Sequence, residues 1–321
     1  MIEPFVVLGG LLVGFVVGLT GMGGGALMTP LLVLPFGIEP LAAVSSDIVA
    51  SFVMKPLGGA VHWRRGTVHT GLVRWLALGS IPSAFFGVYM LRRFGSGPAL
   101  QHSIKFSLGV ALLVVCAGLL VKPLLLSRRP VVEGAAPVVV KKIPTLLIGL
   151  LGGLVVGLTS VGSGSLMIIL LMLLYPRLSL SQLVGTDLVQ AVPLVASAAL
   201  GHVLFGSFQL GLTVSILIGG IPGVLLGARF SSRAPDHVIR PALAIVLLTT
   251  GLKLVGLPNG LLGAVIPAAL IIGVVSMVRG SRAAAKRAAE KAATVDVQKM
   301  ASVVSISDGA KPTDADSLVL G

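Results

Sequence analysis

Two short segments rich in glycine and hydroxyl groups interrupt apolar runs. One is Thr20-Gly21-Met22-Gly23-Gly24-Gly25 and the other Thr159-Ser160-Val161-Gly162-Ser163-Gly164-Ser165. Backbone N–H groups freed at such a break, at the start of the following helix, carry the positive end of the helix dipole and suit an anion. Candidate binding residues are therefore Thr20, Gly23, Gly24 and Gly25 on one side and Thr159, Ser160, Gly162, Ser163, Gly164 and Ser165 on the other. The alternative is that the glycines only permit close helix packing. A second set holds ionisable or strongly polar groups within apolar runs: Ser46-Asp47, Lys55 and His62, then Thr186-Asp187, Gln190 and His202. A carboxylate at membrane depth is a functional candidate by default, as a proton relay or an organiser of hydroxyls. Each Asp lies near the start of its run, so a helix-capping role is the competing reading. Lys55 could neutralise an anion, pair with Asp47 or snorkel. The histidines sit at run ends, where they serve as proton-coupling groups or as plain interfacial residues.

The elements that must position these residues are membrane helices. Hydrophobic residues make up 55% of the 321-residue chain and charged residues 11%, with a mean hydropathy of +1.04, against about 25% charged in a soluble domain. The net charge of +13 gathers at run ends, which points to membrane topology rather than to nucleic acid. Cys116 stands alone, so it forms no intramolecular disulfide. MIEPF lacks a basic n-region, so no cleavable signal is expected. No metal cluster, nucleotide-binding loop or hydrolase motif is present in the sequence, so neither an enzyme nor a cofactor is expected.

The plan occurs twice. Gly14, Gly18, Thr20, Gly23, Gly25 and Met28 recur as Gly153, Gly157, Thr159, Gly162, Gly164 and Met167, 139 residues on. Beyond the break the spacing is 140: Asp47 and Asp187, His62 and His202, Gly66 and Gly206, Pro82 and Pro222, Gly87 and Gly227. This reads as an internal duplication. The positions of Lys55 and Gln190 hold Val195 and Ala50 in the other half, so the site is expected to be one-sided. The expected fold is an all-α polytopic membrane protein built from two homologous repeats. Each repeat has a broken or re-entrant helix pair and three spanning helices. Residues 1–121 form the first repeat, 122–142 a cytoplasmic linker, 143–256 the second repeat, 257–278 an extra helix and 279–321 a basic, then disordered, cytoplasmic tail. The distribution of Lys and Arg favours inverted over parallel repeats, with an external N-terminus, although Arg92, Arg93 and Lys105 then fall outside.

GhhxGLTGhGGGxLhTPLL (h apolar), SSD and GAVHWRRG, followed by GLTSVGSGSLM, GTDL and GHVLFG, together resemble the sulfite exporter TauE/SafE family over nearly the whole membrane region. The resemblance implies a secondary transporter of sulfur-containing or related organic anions, such as sulfite, thiosulfate or sulfonates, in the cell (inner) membrane. The expected mechanism is alternating access around the paired breaks, with Pro82 and Pro222 as hinges. The expected partners are a small anion, the lipid bilayer and a coupling proton or ion, with self-association into a homo-oligomer. An anion channel and a membrane scaffold or assembly factor are the rival readings.

Overall fold

A computed structural model describes residues 3–20, 24–93, 97–127, 139–230, 236–258, 260–263 and 267. Gly23, the linker at 128–138, most of the expected helix at 257–278 and the tail at 279–321 lie outside the described residues. The described part belongs to one compact unit, Met1–Leu270. Its elements are all helices: α1 (Pro4–Thr20), α2 (Gly25–Val33), α3 (Pro40–Arg64), α4 (Thr70–Arg93), α5 (Pro98–Ser127), α6 (Lys142–Thr159), α7 (Leu166–Leu174), α8 (Leu180–Phe205), α9 (Leu210–Phe230) and α10 (Asp236–Val255). Six of them, in α3, α4, α5, α6, α8 and α9, have stretches long and apolar enough to cross a membrane. With all backbone bonds made internally, helices satisfy the hydrocarbon constraint.

Local chemistry sets the boundaries. Pro40 occupies the first turn of α3, where its missing N–H is harmless. A capping box between Ser179 and Gln182 starts α8. Helix α6 stops at Ser160, whose φ of 61° is left-handed, and α7 resumes at Leu166. Helix α1 stops at Thr20 and α2 begins at Gly25. The apolar run from Lys105 to Val121 suggests a helix start near Lys105, but α5 starts at Pro98, because its first turns, PALQHSIK, are helical but too polar to register as apolar.

Helix partners are drawn from opposite parts of the chain. The main contacts pair α1 with α9, α4 with both α6 and α8, α3 with α8, and α5 with α10. Small residues allow α1 and α9, and α4 and α6, to approach backbone to backbone. A Cβ on Gly227 would lie 2.0 Å from the Phe15 carbonyl oxygen, and one on Gly79 2.3 Å from that of Leu146. Such packing is the main source of adhesion between helices in lipid, where the hydrophobic effect does not act. The inner pair, α3 and α8, brings Asp47 and Asp187 into the interior.

Candidate functional site

Asp47 and Asp187 are fully buried within their helices. Neither is a cap: Glu39 precedes α3 and Ser179 precedes α8. Asp47 Oδ2 accepts hydrogen bonds from Thr29 Oγ1 at 2.7 Å and Ser160 Oγ at 2.9 Å. Asp47 thereby ties α2 and the second break to α3. Asp187 Oδ1 accepts from Gln190 Nε2 at 3.0 Å, and Gln190 Oε1 accepts from Ser80 Oγ at 3.3 Å. The Gly164 amide also faces the Asp187 carboxylate. Asp47 Oδ1 and Asp187 Oδ2 are buried with no hydrogen-bond partner among the described residues. An unsatisfied buried acceptor is expensive, and such an atom calls for a ligand, an ion or a proton.

The two breaks meet directly. A Cβ on Gly25 would lie 1.9 Å from the Ser160 carbonyl oxygen, so only glycine allows the start of α2 to rest on the end of α6. A Cβ on Gly24, beside it, would meet only Val17 Cγ2, at 4.0 Å, among the described residues. The half-helices α2 and α7 both begin without a side-chain cap among the described residues. Their first amides therefore keep the dipolar character that suits an anion. Lys55 Nζ donates to Ser163 Oγ across the interface between α3 and the second break. It also interacts electrostatically with both Asp47 and Asp187. Lys55 therefore reaches the break rather than snorkelling, and Ser163 keeps its own proton for another acceptor.

Other expected site residues have local work. Thr20 and Thr159 donate to carbonyls one turn back, at 2.8 Å to Val16 and 2.7 Å to Val155. These hydroxyls satisfy carbonyls at the helix ends. Gly162 and Gly164 hold positive φ, 122° and 94°, and so allow the chain to turn between α6 and α7. Ser165 is the residue from which α7 starts. The Ser46 and Thr186 hydroxyls accept backbone N–H groups from Gln209 at 3.3 Å and His69 at 3.0 Å, anchoring loops rather than facing the carboxylates.

His202 is fully buried, with Nε2 2.8 Å from the Gly157 carbonyl oxygen and Nδ1 2.8 Å from Ser45 Oγ. A carbonyl only accepts, so Nε2 carries the hydrogen and Ser45 donates to Nδ1. His202 thus clamps α8 to α3 and α6. His62 lacks an equivalent partner from the facing helix. Gly185 stands there, where Ser45 stands before His202, and His62 Nδ1 pairs with Thr67 Oγ1 at 3.0 Å in the adjoining loop.

Thr29 and Ser80, both fully buried, were not legible as site residues. Thr29 lies in an apolar run ending in proline, and Ser80 has only Pro82 near it to attract notice. A buried hydroxyl in a membrane helix is the one signal that could have marked them.

The family model described as Sulfite exporter TauE/SafE matches residues 6–254. The "Probable membrane transporter protein YjnA" of Bacillus subtilis is 43% identical over 256 residues, covering 78% of this chain and 98% of that protein. The "Probable membrane transporter protein YdhB" of the same organism is 26% identical over 248 residues, covering 76% and 96%. No solved structure matches.

Proposed function

The chain belongs to the sulfite exporter TauE/SafE family, a family of multi-pass membrane transporters, and we propose that it is a secondary transporter of sulfur-containing or related organic anions such as sulfite, thiosulfate or sulfonates. The observation that carries this reading is the buried cluster where the breaks meet. Lys55, the Ser163 hydroxyl and the uncapped starts of α2 and α7 supply positive potential and donors around one place, while Ser160 is held by Asp47. An oxyanion needs such a set when it leaves water. The substrate class comes from the family description.

The two halves act as inverted repeats, and alternating access proceeds around the breaks. The reciprocal pairing of α1 with α9 and α4 with α6 supports such an arrangement. It also supports one choice of moving bodies. A rocking motion of residues 1–121 against residues 143–256 would tear both glycine-packed pairs apart. The moving units are therefore the cross-half pairs, sliding about the α3–α8 contact, with Pro82 and Pro222 inside α4 and α9 as points of compliance. The protein resides in the cell (inner) membrane with its C-terminal tail in the cytoplasm, as the basic residues after the last helix favour.

Reconstitution tests this reading. Purified protein in liposomes is expected to move at least one of sulfite, thiosulfate and methanesulfonate with saturable kinetics and counter-flow. Single-channel currents, or a stable protein partner with no flux of any of the three, would refute it.

A further inference from the structure

The charges buried at the site do not balance, and the imbalance has a consequence for coupling. Two fully buried carboxylates, Asp47 and Asp187, face one half-buried ammonium, Lys55. Each carboxylate has one oxygen buried without a partner among the described residues, Asp47 Oδ1 and Asp187 Oδ2. The other ionisable groups near them are committed elsewhere. His202 on α8 is held between Gly157 and Ser45, and His62 at the far end of α3 pairs with Thr67. His69, whose amide meets Thr186, turns its Nδ1 to the Leu72 amide. Helices α2 and α7 contain no ionisable side chain. The charged residues of the remaining neighbours lie elsewhere along those helices, such as Arg74 and Arg93 on α4, Lys105 on α5, Lys142 on α6 and Arg229 on α9. None of these interacts with either carboxylate, for which Lys55 is the charged partner.

Fully ionised, the empty site carries a net charge of −1. An uncompensated charge in low dielectric is strongly unfavourable. One proton shared by the two carboxylates makes the empty site neutral. A monovalent anion beside Lys55 restores the deficit, and a second proton removes it. The two unpartnered oxygens offer places for these two protons. A divalent anion would need a third proton, and the site has no third carboxylate to hold it.

Resting on the anion-site reading above, we propose that the protein carries a monovalent oxyanion together with one proton, in the same direction, with Asp47 and Asp187 holding one proton in the empty site and two in the loaded site. The coupled movement is electroneutral, so membrane potential does not drive it. Net flux runs toward the more alkaline compartment unless the anion gradient opposes it. Export against an inward proton gradient therefore requires an outward anion gradient larger than the proton gradient. The count also selects a sulfonate or hydrogen sulfite over a dianion.

The test uses proteoliposomes with methanesulfonate and thiosulfate as probes, since neither changes charge between neutral and mildly acidic pH. Methanesulfonate is expected to accumulate on the alkaline side by about tenfold per pH unit, equally at zero and at imposed potassium-diffusion potentials, and to exceed thiosulfate in rate. The double variant D47N/D187N keeps side chains of the same size and leaves Lys55 uncompensated. It is expected to move methanesulfonate without regard to pH gradient and in response to potential. Methanesulfonate flux that follows potential and ignores the pH gradient in the wild type would overturn the coupling while leaving anion transport intact. Thiosulfate flux without methanesulfonate flux would overturn the charge count. Absence of flux for both probes and for sulfite would overturn the underlying anion-site reading as well. The wild-type measurement stands by itself if the double variant does not fold.

Discussion

Gly25→Ala is expected to separate the two breaks. The added Cβ would sit 1.9 Å from the Ser160 carbonyl oxygen and 2.8 Å from its Oγ. Reaching even a 3.0 Å contact requires a displacement of about 1 Å between α2 and the end of α6. The obstacle is backbone, so no side chain can rotate away. Overpacking of this kind costs about 1–3 kcal/mol, or roughly 2–12 °C in the unfolding midpoint of a domain of 150–250 residues. The effect on transport is larger, because Ser160 also donates to Asp47. A misplacement of about 1 Å at a binding site can reduce rate by about a hundredfold. Gly24→Ala is the matched control. Its nearest neighbour among the described residues would be Val17 Cγ2 at 4.0 Å, and its φ of −59° suits alanine, so its unfolding midpoint is expected to be unchanged or slightly raised. Thermal unfolding in detergent and initial flux in liposomes read both effects. Equal midpoints and equal fluxes for the two variants would refute the close approach of the breaks and the argument built on it.

Two further substitutions probe the scaffold around this contact. Thr29→Val keeps the shape but removes one of the two donors to Asp47 Oδ2; a loss of about 1–3 kcal/mol in chemical unfolding is expected, with reduced flux. His202→Phe removes both clamps to Ser45 and Gly157 and is expected to destabilise by about 2–4 kcal/mol for two orphaned buried groups. His62→Phe, at the partly exposed counterpart, is expected to change the midpoint far less, and equal losses for the two would contradict the structural role given to His202.

Much of this arrangement was written in local signals. The break after Thr159 and the resumption at Leu166 follow from glycines and hydroxyls that a continuous helix disfavours, and the structure places both where the sequence pattern does. The burial of Asp47 and Asp187 follows from charge within apolar runs. The competing capping role failed because Glu39 and Ser179 already occupy those positions. Lys55 was legible as an outlier but not its partner. Ser163 is far away in sequence, and the Asp47 carboxylate on the same helix was the nearer guess. The pairing of α1 with α9 is non-local as well, so local periodicity could not supply it. The contact between Gly25 and Ser160 depends on how two helix pairs converge, and no single segment encodes that. The start of α5 was missed for a simpler reason: polar first turns can be helical without being apolar.

In the proposed transporter an oxyanion is held beside Lys55 where the two breaks meet. Equilibrium binding of radiolabelled methanesulfonate to purified wild type and Lys55→Met tests it most directly. Removing one partner of a buried charge pair weakens binding by about 2–5 kcal/mol. Saturable wild-type binding is expected, with a loss of at least about thirtyfold in Lys55→Met, measured on variant protein shown by circular dichroism to be folded. Undiminished affinity in a folded Lys55→Met protein would contradict it.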